Sequence, residues 1–470
     1  MPRFDILCGL AGTLMVSIAA SGCLVGPNYA RPELMPPAEY RFAGQVQAES
    51  LADAPWFQVF DDPDLQALVR DAIANNLDLR IAVARVEEAR ARAGIAKSFL
   101  YPTVDAAGGY SFRQIGSDDD DNRDVDTTSN SSNLGFQLSW ELDLFGRLRR
   151  QREAAEALFL ASEQGRRGVM VTLVGDVATN YFLLRELDLQ LEIARSTLVI
   201  NDRTVTYFQD RLEGGVSNRL EVDRIRANRS ETAASIPEIE RQIAITENLI
   251  AVLLGRPPGP VKRTPLSTTE PPPPAIPPGL PVALLERRPD VREAEQLLIA
   301  ANADIGAAKA LYFPTINLTG FAGLVSGDLT SFLGSSGGLW SVGVNALQPV
   351  YNGGRLRNNV AVAQALFDAA AAGYRRAAIN AYREVANALV GIQKFAEQRV
   401  ERQIGVTVLI DAADLSRARY DAGLANYIEI LTADERLFDQ QLLVARAQGN
   451  ELRSRAELYR ALGGGWQPTP

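Results

Sequence analysis

The stretch Arg419–Phe438, RYDAGLANYIEILTADERLF, interrupts a proline-free run that extends from Val350 to Gln467. On either side apolar residues recur at helical spacing. At Ala422–Asn426 the pattern fails, and Gly423 and Asn426 are residues that permit a turn. A matched stretch, RLEGGVSNRLEVDRIRAN, begins at Arg211. Offset by 208 residues, it sets Arg211 on Arg419, Gly215 on Gly423, Asn218 on Asn426 and Glu221 on Glu429. The chain reads as one unit built twice, each copy carrying a helical hairpin with a tip of small residues.

The duplication reaches beyond the tips. Ala96-Lys97 and Tyr101-Pro102-Thr103 recur as Ala308-Lys309 and Phe313-Pro314-Thr315, offset by 212, and Asp78 and Arg80 recur as Asp290 and Arg292. From Arg147 and Arg355 onward the offset of 208 holds to Gly255 and Gly463. A register kept without insertion over about 110 residues marks an internal repeat. The change from 212 to 208 makes the acidic loop of the first copy, Gly116–Asn133 with Asp118–Asp121, Asp124 and Asp126, four residues longer than its counterpart.

Each copy opens with a helical pattern, expected as one helix over about 65–98 in the first. Strand pairs follow, expected at 103–113 with 134–144 and at 315–325 with 339–347. From Leu134 to Leu144 the apolar residues Leu134, Phe136, Leu138, Trp140, Leu142 and Leu144 alternate with Gly135, Gln137, Ser139, Glu141 and Asp143. That is a period of two, and its length suits the ~9–11 residues of a membrane strand. After Gly146 a helical pattern of about 65 residues would reach ~100 Å at 1.5 Å per residue. A second arm, about Leu220–Leu254, returns from the tip with Pro237 as its one expected kink.

The expected organisation is a signal segment 1–22, an extended proline-punctuated segment 23–64, a first repeat 65–255, a stiff Pro-rich linker 256–289, a second repeat 290–463 and a tail 464–470. The linker holds 12 of the 25 prolines and is expected to contain no helix.

Composition removes many functions. The net charge of −9 argues against a nucleic-acid partner. With no histidine, the commonest general base, the Ser-His-Asp arrangement and most zinc or copper sites are excluded. The only cysteines are Cys8 and Cys23, so the body can hold neither a disulfide framework nor a cysteine metal cluster. No cofactor and no metal is expected, and the chain is not read as an enzyme. Residues Ile6–Ala20 suit the apolar core of an export signal. Ala20-Ser21-Gly22-Cys23 resembles a bacterial lipobox, which implies that Cys23 becomes an acylated N-terminus and that Leu24 behind it directs the product to the outer membrane.

Four strands raise a physical difficulty. In lipid an unpaired strand edge is not tolerated, and bacterial barrels need at least about eight strands. If these strands face lipid, with Gly135, Ser139, Ser341, Gly343 and Asn345 toward a watery lumen, the chain must oligomerise. A four-stranded soluble sheet packed on helices is the other arrangement the pattern allows.

Several segments together resemble the TolC/OprM family, the outer-membrane channel components of tripartite efflux pumps, and its lipoprotein branch in particular. They are Cys23–Tyr29 (CLVGPNY), Leu284–Ala303 (LLERRPDVREAEQLLIAANA), Gly306–Pro314 (GAAKALYFP), Gln348–Arg357 (QPVYNGGRLR), Arg419–Leu431 and Ala461–Trp466 (ALGGGW). The resemblance implies an α+β membrane protein: a homotrimer with a twelve-stranded transmembrane β-barrel and long helical hairpins forming a periplasmic α-barrel. It implies a passive duct for small molecules, lipid-anchored in the outer membrane and working with a periplasmic adaptor and an inner-membrane transporter. The tips that meet the adaptor would be Gly215, Val216, Ser217 and Asn218, and Gly423, Leu424, Ala425 and Asn426. A periplasmic constriction would fall at Ile428, Thr432 and Glu435. Here the chain departs from the family, with Thr432 where an acid is usual and Glu435 where a base is common. A duct for protein secretion and a soluble periplasmic helical scaffold are the alternative functions.

Overall fold

The computed structural model describes residues 23–35, 37, 40, 61–114, 128–267, 281–326 and 338–464. The signal segment 1–22, the acidic run 118–126, Pro271–Pro274 and Trp466 lie outside the described residues. Among the described residues twelve elements follow in order: α1 (Pro63–Asn75), α2 (Leu77–Ser98), β1 (Thr103–Gln114), β2 (Thr128–Leu142), α3 (Arg147–Glu213), α4 (Arg219–Leu253), α5 (Pro281–Arg287), α6 (Pro289–Ala310), β3 (Thr315–Ser326), β4 (Gly338–Leu347), α7 (Arg355–Asp421) and α8 (Tyr427–Ala461). The duplication is structural: α2 and α6 have 22 residues each, α3 and α7 have 67, and α4 and α8 have 35.

Three expectations are corrected. The opening helix is two helices. Asn76 leaves helical geometry at ψ 130° and caps α2, its Oδ1 accepting from the Leu79 amide at 2.8 Å while its Nδ2 donates to the Leu253 carbonyl at 2.9 Å. The supposedly helix-free segment 256–289 contains α5, which ends 212 residues after α1 and is that helix's shortened counterpart. Counting prolines concealed it. Pro281 is the first helical residue, where a missing amide is harmless, and none follows before Pro289. Finally, β2 starts at Thr128, inside the expected loop, because Thr128–Asn133 pair with Gly109–Gln114 of β1, and it stops at Leu142 rather than Leu144 because Asp143 turns to cap α3. Its carboxylate accepts from the Leu148 and Arg149 amides at 3.1 and 2.9 Å. Pro237 lies inside α4, which runs through it.

The chain forms two compact units that share the long helices. The first takes residues 1–33, 86–162 and 294–374. Its four strands make one antiparallel sheet in the order β1-β2-β3-β4. The register pairs Val104 with Leu138, Leu138 with Gly320 and Gly320 with Val342. Direct cross-strand partners share a face, so one face carries Val104, Phe136, Leu138, Trp140, Leu318, Trp340, Val342 and Val344. The other carries Thr103, Asp105, Gln137, Ser139, Thr319, Ser341 and Asn345. Phe321 breaks the division. It lies on the polar face, and its ring crosses Gly135, where a Cβ would come within 2.8 Å of it. Below the sheet α3 meets α6 through Ala154, Ala157, Ala300 and Ala303.

The second unit takes residues 34–85, 163–293 and 375–470. Its core joins α1, α3, α4 and α8 through residues such as Leu65, Val69, Val177, Tyr181, Leu184, Ile250, Ala456 and Tyr459. Full burial of each larger side chain contributes about 1.5–3 kcal/mol. The Tyr181 hydroxyl donates to Asp62 at 2.7 Å, and Asp62 in turn caps α1. Among the described residues no helix is long and apolar enough to cross a membrane.

Because buried Asn76 both caps α2 and satisfies the end of α4, Asn76→Ala should cost about 1–3 kcal/mol. The expected result is a lower urea midpoint for loss of helical circular dichroism.

Candidate functional site: the hairpin tips and the helix behind them

Both tips are built by the same backbone device. At the end of α3 the Gly215 amide donates to the Leu212 carbonyl at 3.0 Å and the Val216 amide to the Arg211 carbonyl at 2.9 Å. At the end of α7 the Gly423 amide donates to Tyr420 at 2.9 Å and the Leu424 amide to Arg419 at 2.8 Å. This pair of bonds is the Schellman motif, which needs a left-handed residue at its second-last position. Gly215 and Gly423 supply it at φ +73° and +72°. A Cβ at either would meet open space, so glycine is required for its conformation and not for room. Asn218 then caps α4, accepting from the Glu221 amide at 3.0 Å, and Asn426 caps α8 through the Ile428 amide at 3.4 Å. Val216 and Leu424 are left about two-thirds or more exposed, at 67% and 71%.

Beneath the tips an apolar knot ties the two hairpins together. Phe208, Val222, Ile225, Tyr427 and Ile430 are buried in it, with Leu212 and Tyr420 packed against them. The Phe208 ring lies 4.4 Å from Tyr427 and 5.7 Å from Tyr420, centroid to centroid. Burial pushes the Tyr427 and Tyr420 hydroxyls above the ordinary tyrosine range. The guanidinium of Arg211 lies 5.5 Å from the Tyr207 ring and 5.4 Å from Tyr420, and Nη1 donates to the Tyr207 hydroxyl at 2.9 Å. Its repeat partner Arg419 does otherwise, pairing with Glu429 across its own tip at 3.4 Å.

Behind the second tip Ile428, Thr432 and Glu435 occupy one exposed face of α8, at steps of four and three residues. The structure thus brings the three constriction candidates together as a stripe. It does not gather the neighbouring acids into one cluster. Glu221 accepts from the Ser217 hydroxyl at 2.7 Å, Asp223 lies 3.5 Å from Arg219, and Glu429 pairs with Arg419. Asp434 turns inward to Arg417 at 2.7 Å. Burial raises its pKa, against the pull of Arg417. Glu435 takes a neutral partner, the Asn228 amide group at 3.2 Å. Asn228 is itself held by Asn201 at 3.1 Å, and these groups border a crevice of about 170 Å³. A larger cavity, about 690 Å³, lies elsewhere in this unit between Asp78, Asp176, Asp290, Glu293, Arg288 and Arg460. It touches none of the tip or stripe residues.

The aromatic knot and the Arg417–Asp434 pair were missed from sequence. Phe208, Tyr420 and Tyr427 are scattered over more than 200 residues, and only the overlay of the two copies would have placed them side by side. No group of three or more metal-ligating side chains occurs among the described residues.

Comparison with known proteins agrees with this architecture. Residues 68–256 and 280–464 match the family described as outer membrane efflux protein. The chain belongs to that family. It is similar to the solvent efflux pump outer membrane protein SrpC of Pseudomonas putida, with 35% identity over 95% of this chain and 96% of the relative. The cation efflux system protein CusC of Escherichia coli is 32% identical over 96% of this chain and 98% of its own. The solved outer-membrane channel OprN superposes with a TM-score of 0.87 at 32% identity, covering 95% of this chain and all of that one. This chain is therefore an outer-membrane efflux channel subunit, and the outer membrane is its location. The second matched segment opens at residue 280, one residue before α5.

Replacing Gly423 with alanine should strain the left-handed turn by about 1–2 kcal/mol while leaving the core untouched. Hydrogen exchange at the Leu424 amide is expected to speed up without a change at Tyr459.

Proposed function

We propose that the chain is one subunit of a passive homotrimeric exit duct, docked through its tips to a periplasmic adaptor and, with it, to an inner-membrane transporter. The observation that carries the reading is the sheet. Its apolar face is exposed, with Phe136 at 63%, and among the described residues both β1 and β4 have a free edge. Hydrocarbon cannot satisfy those edges, so the sheet must close against copies of itself. Two copies would give about eight strands, whose interior side chains fill, whereas three give twelve and leave a lumen. The polar face, with Thr103, Gln137, Ser139 and Asn345, would line it.

The relatives support a duct without a chemical code. SrpC is named for solvent and CusC for cations, cargoes with no shared recognition chemistry. Selection then belongs to the transporter. Val216 and Leu424, exposed on rigid caps, are the adaptor-facing apolar contacts, framed by Gly215, Ser217 and Asn218 and by Gly423, Ala425 and Asn426. Ile428, Thr432 and Glu435 face the tunnel as its constriction, and Cys23 carries the acyl anchor. As a channel subunit the chain performs no chemistry of its own.

Detergent-solubilised protein should have the mass of three chains, and a monomer that stays soluble without detergent would overturn the reading. In planar bilayers Glu435→Gln should raise conductance, since it weakens the charge-assisted hydrogen bond from Asn228 that ties α8 to the other hairpin. Thr432→Val should leave conductance nearly unchanged. An unaffected Glu435→Gln channel removes the constriction from this stripe.

A further inference from the structure

The polypeptide after Cys23 is clamped to the end of the sheet. Leu24 lies against Gly146, where a Cβ would come within 2.6 Å of its Cδ1. The Val25 amide donates to the Phe145 carbonyl at 3.3 Å. Gly26, at φ +101°, passes so near α6 that a Cβ on it would stand 2.4 Å from the Gly306 Cα. The key residue is Arg150, whose side chain is only 2% exposed. It donates to the Val25 carbonyl at 3.2 Å, to Asn28 Oδ1 at 3.0 Å and to Glu153 at 2.7 Å. Farther along, Asn302 donates to the Pro27 carbonyl at 3.0 Å, and Tyr29 and Arg31 both donate to Glu295, at 3.2 and 2.8 Å. A slack chain of the same eight residues would let its end wander on the order of 15 Å. Here the end is fixed beside Phe145, three residues past the last residue of β2, at most about 10 Å beyond the strand.

The same level of the unit is ringed with amphipathic and apolar side chains. Phe99 and Tyr101 precede β1, Tyr312 and Phe313 precede β3, and Val350 and Tyr351 follow β4. Tyr101 is 59% exposed and Tyr351 90%. Local contacts hold the ring in place. Trp140 Nε1 donates to the Leu100 carbonyl at 3.1 Å, Gln348 donates to the Tyr312 carbonyl at 3.0 Å, and Phe145 stacks on Phe313 at 4.7 Å. Apolar bodies with polar tips belong at the boundary between headgroups and acyl chains.

We propose that this end of the sheet is a membrane-seating surface for the periplasmic leaflet, in which the Arg150-locked strap holds the acyl anchor of Cys23 level with Tyr101, Tyr312 and Tyr351. The proposal rests on the reading of the sheet as membrane-inserted and of Cys23 as acylated. An acyl tether alone binds reversibly. Held at the level of the aromatic side chains, it enters the leaflet beside them instead of at the end of a slack chain.

Acylated Cys23 offers no thiol and Cys8 lies in the removed signal, so single cysteines introduced elsewhere can carry a nitroxide. Labels at Tyr101→Cys, Tyr351→Cys and Val344→Cys, in the full chain reconstituted in phosphatidylethanolamine and phosphatidylglycerol vesicles, report depth by collision with oxygen or with a water-soluble nickel chelate. Val344 should read deep, and Tyr101 and Tyr351 at the headgroup boundary. Val344 deep with both other labels in water, or with both shielded from either collider by a second copy, overturns the seating surface while the barrel stands. Val344 in water overturns the membrane reading itself. For the lock, Arg150→Met should speed hydrogen exchange of the Val25 amide by about tenfold with the depth at Val344 unchanged. Asn28→Ala, which removes one acceptor, should do so to a smaller extent and carries the test if Arg150→Met does not assemble. Wild-type exchange in every variant that assembles overturns the lock.

Discussion

Among the described residues, backbone amides at the free edges of β1 and β4 have no hydrogen-bond partner within the sheet, and in hydrocarbon water cannot supply one. Much of the structure answers that constraint. The apolar face, with Ala106, Phe136, Ala322 and Trp340 in register across four strands, makes water an unsuitable solvent for the sheet. The edges make lipid unsuitable for a single copy. Only closure with further copies satisfies both demands. The helices cannot take over the crossing, since none among those described is apolar enough.

Much of this was legible in the sequence because duplication doubles every signal. The 208-residue offset that aligns Gly215 with Gly423 also aligns both ends of α3 with those of α7, and of α4 with those of α8. The alternation through Leu134–Leu142 located β2 and assigned its faces. What escaped was decided by single polar side chains or by exceptions to a rule. Asn76 splits a helix whose apolar spacing runs straight through it. Asp143 ends a strand whose alternation continues for two more residues. In α5 proline stands at the one helical position that suits it, so a count of prolines points the wrong way.

The candidate site was legible in outline only. Glycine and asparagine at fixed offsets announced the tips, because a left-handed turn and a cap need those residue types. The partners of the nearby acids could not be read, since each is chosen by distance in space. Arg417 reaches Asp434 across the turn, and Asn228 reaches Glu435 from the other hairpin. The structure shows charges dispersed into separate local contacts, with Glu435 held by an amide.

Position 219 of the first copy and position 427 of the second are equivalent under the repeat, yet Arg219 extends into solvent and Tyr427 is buried in the aromatic knot. Arg211 and Arg419 are likewise equivalent, one stacked between tyrosines and the other paired with Glu429. Backbone geometry at the two tips has stayed the same while their chemistry has drifted apart. Around a ring of three chains the six hairpins would therefore mimic sixfold symmetry in shape and keep threefold symmetry in charge. A partner fitting such a rim meets two kinds of seat in alternation, and one gene can specialise each without disturbing the other.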